Sequence, residues 1–308
     1  MRRSTGLALG LVVGAAVDAA VGDPRAGHPV AAYGAAADLL EQRIWSDNRR
    51  SGTAFTALCV GAAVAGGAIL ERMFRGRRTY PVVVAAATWT VLGGETLRRE
   101  AAAVHDRLDA HDLPGARKRL THLVGRNTNV LDESGVARAV VESVAENTSD
   151  AVVAPLIWGG LAGIPGLLGY RAINTLDAMV GHRSTRHANF GWASARLDDA
   201  ANIVPSRLTV ALTALASGRP AEVVHTARRD APAHPSPNSG WCEAAFAEAL
   251  EVQLGGTNRY GDRIEERPLL GDGKPVSPAD IERASLLARR VNVLAVVTAA
   301  ILAWRRRR

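Results

Sequence analysis

The sequence predicts an all-α, polytopic integral membrane protein with broken or re-entrant helices and a large helical extramembrane part. Three observations carry this. The chain of 308 residues is 47% hydrophobic with a mean hydropathy of +0.02, but its apolar residues are gathered into long blocks that the averages hide. One block, Val152 to Tyr170, holds Pro155, Gly159, Gly160, Gly163, Pro165, Gly166 and Gly169, a composition that breaks a helix or lets it pack tightly. Strand signals are few and short, and no internal repeat or low-complexity linker is present.

In chain order, residues 5–21 are Gly, Ala, Val and Leu with Asp18 intruding. An ionisable residue in an apolar helix costs about 3 kcal/mol on the insertion scale, so Asp18 is either functional or close to a helix end. Met1-Arg2-Arg3 and the following apolar run resemble a signal peptide without a persuasive cleavage site, and the segment reads as retained. Thr53 to Leu70 is uncharged and near the lower length limit for a span. The basic link Glu71 to Arg78 joins it to a second apolar block, Tyr80 to Gly94, so the pair reads as a transmembrane hairpin with a cytoplasmic connection.

From Arg98 to Asp150 the chain reads as soluble helices, with Ala101, Val104 and Leu108 on one apolar face, a break at Pro114-Gly115 and a polar turn at Gly125 to Thr128. After the glycine-broken block comes a polar stretch, Arg171 to Asn202, with loop character at residues 181–191. Ile203 to Ala216 is a shorter or tilted span, and the segment 231–240 is a proline-rich loop. Trp241 to Leu254 reads as a helix, residues 255–280 as a loop, and Val291 to Trp304 as a final apolar anchor before four arginines. The extramembrane part therefore comprises about 98–150 and 218–290 of a single membrane-embedded domain in the cell membrane. Simple alternation from the basic 71–78 link would put 98–150 outside the cell, whereas phosphate chemistry wants it inside; a re-entrant segment would resolve this.

The net charge of +7 rests on arginine, since Lys118 and Lys274 are the only lysines. Dispersed arginines beside apolar blocks, with four Phe and four Tyr for stacking, argue against nucleic acid and for anionic lipid and phosphorylated substrates. Cys59 and Cys242 form neither a disulfide framework nor a zinc pattern. Chemistry gathers instead at Glu142, Glu146 and Asp150, spaced four apart so that one helix would project all three carboxylates from nearly one side. Such a ladder either faces water or holds a cation, an arginine or a polar ligand. Asn174 and Asp177, and Asp198 and Asn202, likewise share helix faces. On helix 241–254, Glu248 and Glu251 fit a solvated face beside Glu243. Gly271 to Pro275 lacks the spacing of a phosphate-binding P-loop.

Several stretches together resemble the CobD/CbiB family of cobalamin biosynthesis, the adenosylcobinamide-phosphate synthases. They are Asp23-Pro24 with His28-Pro29-Val30; Glu142 to Asp150; Tyr170 to Gly181; Ala195 to Asp199; and His234 to Trp241. One departure is Asn127, where the family favours aspartate. The resemblance implies an ATP- and Mg²⁺-dependent ligase that joins the free propionate of adenosylcobyric acid to (R)-1-aminopropan-2-ol phosphate, with other late enzymes of the pathway as partners. It implies a site in which Glu142, Glu146, Asp177, His182 and Asp198 carry the catalysis, and Glu146, Asn147, Asp150 and Asp199 hold metal. Arg171, Arg183, Arg196 and Asn174 would bind phosphates. His187, His234 and His28 are further bases or structural loop residues. Two other classes compete: a membrane prenyltransferase using Mg-diphosphate at Asp198 to Asn202, and a non-catalytic membrane sensor or scaffold.

Overall fold

The computed structural model describes residues 3–23, 27–181, 186–260 and 263–306. Among these, the helices are α1 (Arg3–Val21), α2 (Pro29–Ile44), α3 (Arg49–Phe74), α4 (Tyr80–Val91), α5 (Gly94–Asp109), α6 (Leu113–Leu120), α7 (Glu133–Thr148), α8 (Ala154–Ala162), α9 (Ile164–Leu176), α10 (Trp192–Ser217), α11 (Pro220–Asp230), α12 (Ser239–Leu250) and α13 (Ala279–Arg305). A small sheet of β1 (Val252–Tyr260), β2 (Arg263–Leu270) and β3 (Lys274–Pro275) sits between α12 and α13 in sequence. The protein is an all-α membrane protein: α1 over Ser4–Val21, α3 and α13 are long and apolar enough to cross a bilayer.

The chain divides into two compact units. The first comprises residues 1–93, 150–202 and 295–308, and the second 94–149 and 203–294.

In the first unit α4 packs on α1, because Gly10 and Gly14 leave no side chain between the α1 backbone and Val84, Ala85 and Thr88. This corrects the expected hairpin of α3 with residues 80–94. At 12 residues, α4 reaches only about 18 Å, short of the hydrocarbon thickness. The glycine-rich block likewise fails to cross as one helix. It folds back at Gly163, whose φ of 74° suits glycine, and Gly159 and Gly166 let α8 and α9 close on each other at Leu167 and Trp158. These are the broken, re-entrant helices that the composition implied.

The reversal exposes the backbone N–H groups that open α9, and buried Glu71 of α3 accepts from one of them, the Ile164 N–H, at 3.1 Å. That explains an acid at the end of a span: a helix N-terminus both donates to it and stabilises its charge. Glu71→Ala should therefore lower stability in detergent by about 1–2 kcal/mol, the usual worth of a cap, with Glu71→Gln recovering part. An unchanged unfolding midpoint for the alanine variant would remove the capping role.

The second unit has the larger described core. The expected apolar face of Ala101, Val104 and Leu108 is buried against α7, with Phe246 and Ala244 of α12 and Ile281 and Ala284 of α13 in the same cluster. Residues 255–280 are a correction. They are not a loop, since β1 and β2 pair as an antiparallel hairpin and β3 joins β1 in parallel. Leu254 belongs to β1, and α12 stops at Leu250, where Glu251 takes the left-handed conformation at φ 57°. A glycine bulge at Gly255 and Gly256 (φ 86° and 83°) masked the strand alternation that would have revealed it.

Candidate functional site

Two polar groups stand out, one in each unit. In the second unit, α7 presents Glu142 and Glu146 one turn apart, and α12, packed against it, presents Ser239 and Glu243 one turn apart. The Ser239 hydroxyl donates to Glu146 Oε1 at 2.6 Å. One turn away, both oxygens of Glu142 are engaged: Arg126 Nη2 donates to Oε2 at 2.5 Å, and the Gly255 N–H donates to Oε1 at 3.0 Å. The side chains of this pair are only 3% (Glu142) and 6% (Arg126) exposed. Two of the expected ladder acids are therefore compensated differently, one by a buried guanidinium and the other by a hydroxyl.

Glu243 completes the group. Its side chain is 1% exposed, with Oε1 3.7 Å from His234 Nε2, while its buried Oε2 has no hydrogen-bond partner. Burial, followed by Glu142 and Glu146, pushes the Glu243 carboxyl well above the usual range. His234 Nδ1 lies 3.1 Å from the Ser236 nitrogen and 3.4 Å from the Ser236 carbonyl oxygen, so these contacts accommodate the ring proton on either nitrogen. Burial, followed by the Arg267 guanidinium, holds the imidazole below its ordinary value. Arg267, on β2, brings Nη1 to 3.5 Å from His234 Nε2.

The proline-rich segment sets these side chains. Ser236 Oγ accepts from the N–H groups of Asn238 and Ser239 and so opens α12. Asn238 Oδ1 accepts from Ser206 and Arg207 of α10, and the Arg207 guanidinium lies 4.6 Å over the Trp241 ring.

A pH dependence follows from Glu243. Its folded form keeps a proton that the unfolded chain gives up near 4.5. The contribution is fully present below that value and is lost as pH rises toward the folded pKa. With chelator present, Glu243→Gln should flatten the fall in stability above pH 4.5 seen in thermal unfolding of the wild type. An identical slope in both proteins would refute the neutral acid.

The first unit gathers Asn174, Asp177, Asp198, Asn202 and Tyr170. Asn202 Nδ2 donates to Asp198 Oδ2 at 3.0 Å, and the Tyr170 hydroxyl donates to Asn202 Oδ1 at 2.8 Å. Asn174 and Asp177 face the same Asp198 carboxyl, and Arg171 is within electrostatic reach of Asp23 and Asp150. An apolar cavity of about 390 Å³, lined by Val60, Val64, Trp158, Ile173 and Leu197 among others, abuts Tyr170.

Other expected residues lie elsewhere. Asp199 pairs with Arg196 at 3.3 Å on the half-exposed side of α10, so these two neutralise each other. Asn147 turns its amide nitrogen back to the Ser143 carbonyl at 2.9 Å. Asp150 sits on the π-helical turn 149–153 that follows α7 and belongs with the first unit's group, within electrostatic reach of Tyr170 and Arg171. His182 and Arg183 lie outside the described residues. His28 caps α2 by accepting the Val30 N–H, and His187 Nε2 meets Glu41 Oε1 at 3.0 Å. Glu248 pairs with Arg219 at 2.9 Å, and Glu251 is exposed. Sequence reasoning missed Arg126, Ser239, Glu243 and Arg267 as members of the group. The one available signal was the four-residue spacing of Ser239 and Glu243 next to the resemblance-bearing stretch His234 to Trp241. Among the described residues, no three His, Cys, Asp or Glu side chains are arranged to hold a metal ion by themselves.

The family model described as CobD/Cbib protein matches residues 11–288. Among curated relatives, the chain is 48% identical over 305 residues to the cobalamin biosynthesis protein CobD of Mycobacterium tuberculosis, covering 97% of each chain. It is 42% identical over 290 residues to the protein of the same name from Rhodobacter capsulatus, covering 91% of this chain and 92% of that one. With the one from Geobacter metallireducens, identity is 45% over 276 residues and 86% of each chain. No solved structure matches the chain.

Proposed function

The chain belongs to the CobD/CbiB family of cobalamin biosynthesis proteins, and from that premise we propose that it is an amide-forming ligase. It joins the free propionate of adenosylcobyric acid to the amine of (R)-1-aminopropan-2-ol phosphate with ATP and Mg²⁺, giving adenosylcobinamide phosphate at the cell membrane. The observation that carries this reading is the buried group of Glu142, Glu146, Glu243, Arg126 and His234, built largely from the stretches on which the family resemblance rests.

The residues fit Mg²⁺ in one form only. Among the described residues no all-protein cage is available, but Mg²⁺ commonly takes one or two carboxylates and completes its shell with water and substrate phosphates. In the second unit Glu146 has one oxygen committed to Ser239, which leaves the other for such a site; Asp198, with Oδ2 on Asn202 and Oδ1 buried without a hydrogen-bond partner, offers the same in the first. When bound, the ion neutralises phosphate charge. Amide formation is uphill in water, so the carboxylate must first be activated, most simply as an acyl phosphate with release of ADP. The amine then attacks the acyl carbon, inorganic phosphate departs, and the ammonium proton must go to a base. His234 is a poor base as it stands, because burial and the Arg267 guanidinium hold its imidazole below its ordinary value. Glu146, with one oxygen on Ser239 and the other given to the ion, is not open to the proton, which the departing phosphate can take.

The test is direct. Purified protein in detergent, given both substrates, ATP and Mg²⁺, should yield the amide by mass, and isoprenoid diphosphate should remain unconsumed. Absence of the amide under conditions in which the protein is folded would refute the ligase.

A further inference from the structure

Beyond Glu146, the second unit holds an acid that the family resemblance did not single out. We infer that Glu243 is a second carboxylate ligand, beside Glu146, for a divalent cation in the second unit, and that Glu142 is held out of that coordination shell. The inference rests on the proposed Mg²⁺ dependence and deepens it.

The argument starts from partners. A carboxylate oxygen buried without a donor costs about 1–3 kcal/mol or more, and native proteins keep few such groups without a reason. Glu243 is 1% exposed, and its Oε2 is such an oxygen. Its Oε1 faces His234 at 3.7 Å, beyond hydrogen-bond length. Ser239, one turn earlier on α12, donates to Glu146 Oε1, so the helix that carries the orphan oxygen is tied directly to the second carboxylate. The two acids come from facing helices of one unit, which suits two ligands converging on one ion.

Glu142 sits in the same group but differs in kind. Both of its oxygens already accept, one from Arg126 and the other from the Gly255 N–H. Coordination by Glu142 would break its buried 2.5 Å bond to Arg126. Its position is better explained as a strut that anchors β1 on α7.

Two carboxylates are too few for tight binding alone, which agrees with the lack of a complete protein cage among the described residues and with a site completed by phosphate oxygens. The alternative is that Glu243 stays an inert, neutral buried acid when the ion is present as well.

Full-length protein in detergent, titrated with Mn²⁺ alone and followed by the free-ion paramagnetic resonance signal, separates the two, with Mg²⁺ as competitor. Glu243→Gln and Glu146→Gln should each weaken Mn²⁺ binding roughly tenfold or more, while Glu248→Gln, which removes an acid outside the group, leaves it unchanged. Glu243→Asp, which keeps the acid but shortens it, should fall in between and guards against a glutamine variant that fails to fold. Mn²⁺ affinity that is indifferent to both changes at Glu243 overturns the assignment. A wild type that binds Mn²⁺ in the expected way but makes no amide leaves the cation site standing and removes the ligase. Amide formation with Glu243-independent Mn²⁺ binding removes only the ligand.

Discussion

Glu146→Gln is expected to lower amide formation by about 10²–10³-fold, the scale of losing one group that stabilises transition-state charge, while the protein still inserts in the membrane and folds. Glutamine keeps the volume and can still accept the Ser239 hydroxyl at the 2.6 Å position, so packing between α7 and α12 should survive. What it loses is the negative charge proposed to hold the cation. The defect should appear mainly in kcat, because charge held there matters most as phosphate charge develops in the transition state. Turnover at the wild-type rate would leave Glu146 with no role beyond helix packing, and would also count against the non-catalytic alternative by showing that the chemistry lies elsewhere.

The second large effect concerns stability. Glu142→Ala should destabilise the second unit by about 3–5 kcal/mol, because it removes the carboxylate from a buried ion pair with Arg126. It also leaves the Gly255 N–H without its acceptor, which loosens the hairpin that carries Arg267. Arg126→Ala should be similarly damaging, since a carboxylate with 3% side-chain exposure then loses its buried guanidinium. The double replacement Glu142→Leu with Arg126→Met should recover a substantial part of the loss, as buried pairs exchanged for packed apolar groups often do. Denaturant unfolding of the detergent-solubilised protein measures all three, and single variants as stable as wild type would contradict the pair as a structural strut.

Much of this arrangement could be read from local pattern. The four-residue spacing of Glu142 and Glu146 placed two carboxylates on one helix face, and both are in the buried group. The face of Ala101, Val104 and Leu108 followed from periodicity, and the glycines at 159, 163 and 166 announced a broken helix. What stayed hidden was long-range. Ser239 meets Glu146 across 93 residues, and Gly255 meets Glu142 across 113; nothing in either segment names its partner. Arg126 looked like part of a polar turn because burial is a property of the packed unit. Glu243 looked like one member of an acidic helix face, although its helix has Cys242, Ala244, Ala245 and Phe246 buried around it. The hairpin escaped notice because Gly255, Gly256 and Gly271, each with positive φ, look like loop composition when they are in fact bulges and strand ends.

As proposed, this chain activates a carboxylate with ATP and passes it to an amine. The most direct test uses adenosylcobyric acid labelled with ¹⁸O in the free propionate, incubated with the purified protein, ATP, Mg²⁺ and aminopropanol phosphate. The account predicts that one ¹⁸O atom leaves the corrinoid and is found in inorganic phosphate for each amide formed. Amide product with all of the displaced label in water would contradict it.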